Sequence, residues 1–454
     1  MIMLDNTVVN VALPSMQKAL GIGPSELEWV VVGYALSFAT FMLTGGKLAD
    51  LLGRRLLFVI GLAIFTGASL ACGLAGSAGF LIGARVVQGV GAAIMNPATL
   101  GIITATFPPR QRGTAIGIWA GTSAMALAIG PLVGGLLTEK VGWSWIFFVN
   151  VPVGLVGIAM AFWAIDETRD MSKEQRLDLP GLLTSGGALF ALTYALIEAN
   201  SYGWTSARIL ALFGIAIVLG VAFVLLELHQ RAPMLDLNLF RNTTFSGANV
   251  AMLLVALAMF GIFFYNSLFI QNILGYSAIQ TGAIFLPMTL LIILIAPQAG
   301  KLTDTIGARW LVGGGLALVS VCLVLFAQLD QNSTFWNILP GLIVGGVGMA
   351  LTMTPTTAAA MGSVPVDKAG VGSAVLNSAR QVGGSLGIAV MGAIVASQVS
   401  VPRVSPQFPD QFVSGYHHAL YAAALIALAG SVVAVVMVRK VRHEPSVAIV
   451  DAAA

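Results

Sequence analysis

Apolar stretches recur along the whole chain, each close to the ~20 residues a helix needs to cross a bilayer. They predict spans near 1–20, 28–49, 56–76, 79–104, 113–138 and 143–165. A charged linker, Asp166 to Asp178, follows. Two more spans lie near 180–199 and 206–228, and a polar stretch runs from His229 to Thr244. Six further spans are predicted near 246–272, 278–299, 309–328, 335–361, 370–398 and 416–438. Composition agrees with this pattern. Of 454 residues, 57% are hydrophobic and 9% charged, where a soluble domain carries about 25% charged residues. Fourteen spans use roughly 280–350 residues, which leaves no room for a large soluble domain. The expected class is an all-α membrane protein of about 14 transmembrane helices, with the lipid bilayer as its solvent and no nucleic-acid partner.

Charge placement tests the span count. With both ends on one side, that side holds Lys47, Arg54, Arg55, Arg110, Arg112 and eleven more Lys or Arg residues, and the other holds Lys18, Lys140, Arg208 and Arg403. This bias puts both termini in the cytoplasm and favours an even count. Arg85 and Arg380 fall inside spans. The two cysteines, Cys72 and Cys322, lie in apolar stretches and suggest neither a disulfide framework nor a metal site. The start, Met1 to Asp5, lacks the basic region of a cleavable signal.

The chain also repeats itself. Gly46-Lys47-Leu48-Ala49-Asp50-Leu51-Leu52-Gly53-Arg54-Arg55 follows the second span, and Gly300-Lys301-Leu302-Thr303-Asp304-Thr305-Ile306-Gly307-Ala308-Arg309 follows the tenth. Gly89-Val90-Gly91 before Pro97 is echoed by Gly346-Val347-Gly348 before Pro355. Such repeats are a transporter signature. They divide the chain into an N-terminal six-helix bundle (1–165), a linker with two inserted helices (166–228), a pseudo-symmetric C-terminal six-helix bundle (229–440) and a cytoplasmic tail (441–454).

A few polar residues stand out against the apolar background. A charged acid at mid-membrane costs about 2.5–3.5 kcal/mol on insertion scales, so Asp5 suits a site that takes a proton on one side and releases it on the other. Asp5 is only four residues from Met1. Either it lies at the surface, where a helix N-terminus suits an acid, or the sequence begins late and the first span is truncated; the second is the expectation. Arg85 is a lone cation that needs a partner, and its side chain can reach Gln88 and the first helix. A structural post to backbone carbonyls is the alternative. Arg380, with Asn377 and Gln381, is its counterpart in the second bundle, for packing or for substrate. Gly53 permits a tight turn, with Arg54 or Arg55 free to pair with Asp50. Asp304 and Arg309 form the second copy, which can also simply anchor helix ends to headgroups. Gly130, Pro131, Gly134 and Gly135 make a close-packing, kinkable face, either a hinge or ordinary packing. Asn6, Asn10, Tyr34, Tyr265, Asn266, Asn377 and Arg380 are candidates for a substrate cavity. Asp5 is the one carboxylate expected well inside a span; Glu28, Glu198 and Glu227 fall near span ends.

Four segments together resemble the major facilitator superfamily, and within it the fourteen-span drug:proton antiporters of the QacA/EmrB type. They are Leu4-Asp5-Asn6-Thr7-Val8-Val9-Asn10-Val11-Ala12-Leu13-Pro14; Gly46 to Arg55; Leu81, Arg85, Gln88, Gly89, Gly91, Ala92 and Ala93; and Gly130-Pro131-Leu132-Val133-Gly134-Gly135. Ala126 stands where the last motif usually begins with glycine, and Ser144 stands where a basic residue is common. The resemblance implies an aspartate inside the first span. It implies proton coupling by Asp5, Arg85 and Gln88, a conformational latch at Gly46, Asp50, Gly53, Arg54, Arg55, Asp304 and Arg309, and a hinge at Gly130 to Gly135.

The expectation is a proton-coupled exporter of amphiphilic small molecules or drugs, working by alternating access in the plasma membrane. It needs a proton gradient and no cofactor or metal, and the expected unit is a monomer. Gly45-Gly46-Lys47-Leu48 lacks the spacing and the serine or threonine of a P-loop. Few intramembrane acids against two intramembrane arginines favour a neutral, zwitterionic, weakly acidic or monocationic substrate. A nutrient symporter and a non-transporting receptor are the rival readings. An enzyme is not expected, since no nucleophile–base pair or metal cluster stands out at mid-membrane.

Overall fold

The computed structural model describes residues 1–107, 109–168, 178–230, 233, 235–364, 369–402 and 405–439. Among the described residues the secondary structure is helical. In a bilayer core each backbone N–H and C=O must be satisfied within its own segment, and a helix achieves this. The first set comprises α1 (Ile2–Leu20), α2 (Pro24–Leu52), α3 (Arg54–Gly73), α4 (Ala78–Thr106), α5 (Pro109–Lys140), α6 (Trp145–Phe148) and α7 (Asn150–Ala164). The inserted pair is α8 (Leu179–Tyr202) and α9 (Ala207–His229). The second set comprises α10 (Thr243–Asn272), α11 (Ala278–Ile284), α12 (Leu286–Ile306), α13 (Ala308–Phe326), α14 (Phe335–Gly362), α15 (Ala369–Gln398) and α16 (Phe408–Met437).

Twelve helices among the described residues are long and apolar enough to cross a membrane, counting α6 with α7 and α11 with α12 as single spans. α1 and α5 are not among the twelve, so the expected fourteen is met as a count of helical rods and only in part as a count of apolar spans. α1 carries Asp5, Asn6, Asn10, Gln17 and Lys18 within 19 residues, which lowers its apolar content.

Sequence sets the helix ends. Gly53 (φ 122°) and Gly307 (φ 94°) occupy the same place in the two repeated loops, and each takes a backbone conformation that only glycine adopts freely. Ser77, Ser206 and Ser277 cap α4, α9 and α11 through their hydroxyls. At α2 the sequence expectation needs correcting. Pro24 opens the helix and the Glu26 carboxylate accepts from Gly23 N–H at 2.7 Å, so α2 starts four residues before 28. Glu28 therefore lies in the second turn of the helix, near its end as expected, and is buried.

The packing is repeated. α4 packs on α2 and α3, and α14 packs on α12 and α13; α1 packs on α5, and α10 on α15. α8 lies along the seam where α2 meets α15, with Trp29 against Phe190 and Tyr194, and with Asn200 Nδ2 donating to Ala393 O at 2.7 Å. α9 packs chiefly on α8 and leaves a broad apolar face, including Ile217, Val218 and Leu228, uncovered by protein.

Candidate functional site

Asp5, Arg85 and Gln88 form one buried network between α1 and α4. Arg85 Nη1 donates to Asp5 Oδ2 at 2.5 Å and to Gln88 Oε1 at 2.7 Å, and Gln88 Nε2 donates to Asp5 Oδ1 at 3.1 Å. Arg85 Nε donates to Val30 O at 3.0 Å, so α2 is tied in as well. Above the guanidinium lies the Tyr34 ring, 4.3 Å from Cζ to centroid, with Phe147 at 5.7 Å. Asp5 is 2% exposed and Arg85 1%, which excludes the reading of Asp5 as a surface aspartate at a helix end. Two opposite charges share one dry site, and three helices supply the hydrogen bonds. Such a pair holds only while both charges are present. A proton arriving on Asp5 removes the ion pair and leaves Arg85 to Gln88, Val30 and the aromatic faces.

Around this network several buried polar atoms have no partner among the described residues. They are Tyr34 Oη on α2, Asn10 Oδ1 on α1, and Arg380 Nε and Nη2 with both amide atoms of Gln381 on α15. Arg380 and Tyr34 lie within electrostatic reach of each other. Several cavity candidates make hydrogen bonds. Asn10 Nδ2 donates to Asn6 O at 3.2 Å and Asn377 Nδ2 to Ser373 O at 3.0 Å. Asn266 accepts from Tyr416 Oη within the second set. Tyr265 Oη donates to Glu28 Oε1 at 2.8 Å, across the two sets.

The Gly130–Gly135 face is a meeting point of three helices. A Cβ on Gly130 would overlap Thr7 of α1, and one on Gly134 would stand 2.8 Å from Val8 O. A Cβ on Gly135 would overlap Ala278 O of α11, and the Gly282 Cα rests against Pro131 O in return. Small residues let these backbones touch. The same end of the bundle carries Gln271 Nε2 donating to Val11 O at 2.9 Å and Ile279 N–H donating to Glu139 Oε2 at 3.1 Å. Glu139 lies beyond the fifth span; hydrogen bonds from Ser277 and from Ile279 N–H hold its carboxyl below the ordinary carboxylate range. These contacts between the sets gather at the end opposite the chain termini.

The end with the termini holds the repeated loops. The side chains of Asp50 and Asp304 lie outside the described residues. Arg54 Nη1 donates to Gly101 O at 3.3 Å and Arg55 Nη1 to Ile165 O at 3.1 Å. Glu167 is the acid that sequence reading missed here. It accepts from the Arg55 and Leu56 N–H groups at 3.1 and 3.0 Å and so caps α3. A Cβ on Gly53 would stand 2.6 Å from that carboxyl, which gives this glycine a second reason besides its φ. Gly46 packs on Pro97 of α4. Lys47 Nζ donates to Pro233 O at 2.6 Å, joining α2 to the segment that leads into the second set. In the second copy Arg309 lies over the Trp310 ring, 5.1 Å from Cζ to centroid, and is exposed.

Twelve helices among the described residues, long and apolar enough to cross a membrane and in a repeated packing scheme, define a multi-span membrane protein. Residues 1–388, and again 250–450, match the Major Facilitator Superfamily, and the chain belongs to that family. It is similar to the multidrug resistance protein Stp of Mycobacterium tuberculosis, with 37% identity over 414 residues, covering 90% of this chain and 77% of that protein. It is also similar to the tetracenomycin C resistance and export protein of Streptomyces glaucescens, with 35% identity, covering 91% of this chain and 76% of that one. A third relative is the puromycin resistance protein pur8 of Streptomyces alboniger, with 35% identity, covering 96% and 89%. Among solved structures, a bacterial homologue of the human lysosomal transporter Spinster, inward-facing and unoccupied, aligns with TM-score 0.64 at 17% identity, covering 97% and 94%. An auto-inhibited peptide transporter of the POT family aligns with TM-score 0.65 at 13% identity, covering 98% of each chain. The family and the relatives make this chain a transporter and not an enzyme.

Proposed function

We propose that the chain is a proton-coupled efflux transporter that exports amphiphilic small molecules. The observation that carries this reading is the Asp5–Arg85–Gln88 network, a buried carboxylate paired with an arginine on another helix. In this reading a proton on Asp5 dissolves the pair, frees Arg85 and lets the packing of α1, α2 and α4 change. Its release restores the pair. The first and second sets then act as two rocking bodies, with α8 and α9 as an inserted pair in a fourteen-span arrangement of the QacA/EmrB type. The bias of basic residues among the loops supports cytoplasmic termini, and the family supports the plasma membrane. In this reading the contacts at the opposite end belong to a state closed on the outer side. Gly53, Arg54, Arg55 and Glu167 would hold the inner ends of α3 and α7 together, and Gly130 to Gly135 would form the outer seal.

Three relatives named for multidrug resistance, or for resistance to tetracenomycin C and to puromycin, support drug-like substrates. Arg380 Nε and Nη2, the Gln381 amide and the Tyr34 hydroxyl, without hydrogen-bond partners among the described residues, suit a substrate bearing hydrogen-bond acceptors. One intramembrane ion pair offers little to a dication, so the substrate class is neutral, zwitterionic, weakly acidic or monocationic. In everted vesicles with an acid interior, adding such a substrate is expected to release protons, read by a pH-sensitive dye. Stronger release by divalent quaternary ammonium compounds than by monocations would reject the substrate class, and no release by any amphiphile would reject the coupling.

A further inference from the structure

Glu28 has no part in the Asp5 network, yet it is only 4% exposed. It sits in the second turn of α2, at the end where the two sets meet. Oε1 accepts from Tyr265 Oη of α10 at 2.8 Å, while Oε2 is buried with no hydrogen-bond partner among the described residues. Gly392 of α15 closes the remaining side, and a Cβ there would overlap the carboxyl. One acid of the first set is thus enclosed by two helices of the second.

Among the described residues, the charged and titratable groups around it offer no counter-ion. α8 brings Glu198, a second carboxylate. α10 brings the Tyr265 hydroxyl. α15 has no titratable residue from Ile388 to Gln398. On its own helix, Glu26 is turned back to Gly23 N–H. Arg85 reaches the same helix at Val30 O but commits its Nη1 to Asp5 and Gln88. Arg208 lies over the Tyr194 and Tyr202 rings. An ionised Glu28 in this closed arrangement is an unpaired buried charge, among the costliest groups to bury. A neutral carboxyl keeps the Tyr265 hydrogen bond without that cost. If α10 and α15 withdraw, water reaches the carboxyl and the cost of its charge disappears.

We propose that Glu28 is a second proton-binding site, which takes up one proton from the water on its own side as that end closes and returns it to the same side as that end opens. Entry and exit on one side make it a pH-dependent seal and not a second transported proton. The proposal rests on the reading that the two sets rock, and it does not require Asp5 to carry a proton. One proton linked to closure shifts the closed-to-open ratio by up to about tenfold per pH unit, with acid favouring closure.

The test is a distance measurement on the full chain in lipid nanodiscs, with spin labels on Val141→Cys and Asn332→Cys, two exposed positions at this end on different sets. Cys72 and Cys322 are buried and stay in place. With native Glu28 the short-distance population is expected to grow as the pH falls. Glu28→Gln keeps the size and the acceptor for Tyr265, and is expected to stay short at every pH. Gly392→Ala, which crowds the carboxyl, is expected to lower the short population while keeping its pH dependence. Asp5→Asn with native Glu28 is expected to retain the pH dependence. A Glu28→Gln protein that follows pH as the native chain does, or loss of the dependence in Asp5→Asn, would overturn the proposal. Failure of proton-coupled efflux itself is read separately, from flux.

Discussion

At the scale of single residues, the Asp5–Arg85 pair is the feature on which most depends. Removing one member of a buried ion pair typically costs about 3–5 kcal/mol, because the other charge stays buried without its partner. Arg85→Gln or Asp5→Asn alone is therefore expected to lower the thermal unfolding temperature in detergent. The double variant is expected to recover part of the loss, since no net charge is left behind; additive losses would contradict the pairing. Both residues were legible in the sequence, because a lone charge within an apolar stretch is conspicuous, and so was the reach of Arg85 to Gln88. Glu28 was not. It follows closely on Gly23-Pro24, where the apolar stretch begins, and its burial comes from Tyr265 and Gly392, far along the chain. Glu167 escaped for a related reason: it sits in a polar linker, and its role is to accept backbone N–H groups of a helix more than 100 positions earlier.

At the scale of elements, α5 packs closely against α11 across the two sets. Gly282 rests on the Pro131 carbonyl, so Gly282→Leu is expected to force the helices apart and to reduce cross-linking between cysteines placed at Leu137 and Gln280; unchanged cross-linking would show the contact to be dispensable. Glu139 gives this contact a pH dependence. Its carboxyl is held below its ordinary value of 4.5, so its contribution is full above that value and is lost as the pH falls through the lowered value of the folded state. Cross-linking at this end is expected to weaken only in strong acid, and Glu139→Gln is expected to remove that loss. Glu139 and Glu28 respond to pH with opposite sign: acid loosens the first contact and favours the second. The glycine face was legible as a close-packing surface, but its partners, α1 and α11, were not, since glycine spacing names no neighbour. The breaks between α6 and α7 and between α11 and α12 also went unread. Pro152 and Pro287 follow these breaks and lack the N–H that would continue the helix.

At the scale of the molecule, two sets of helices meet at one end and are joined by an inserted pair lying on their seam. The internal repeat predicts matching loops in the two sets, and Gly53 and Gly307 both take a positive φ there. Apolar length alone read the helical architecture well. It did not establish every rod as a span, because α1 carries Asp5, Asn6, Asn10, Gln17 and Lys18. The central claim is that a proton on Asp5 drives the exchange of substrate. The most direct measurement is ethidium flux, as a monocationic amphiphile, in proteoliposomes under an imposed pH gradient, comparing the native chain with Asp5→Asn. Ethidium accumulation against its gradient by the native chain, with only downhill equilibration by Asp5→Asn, is the expected result; undiminished pH-driven accumulation by Asp5→Asn would contradict the account.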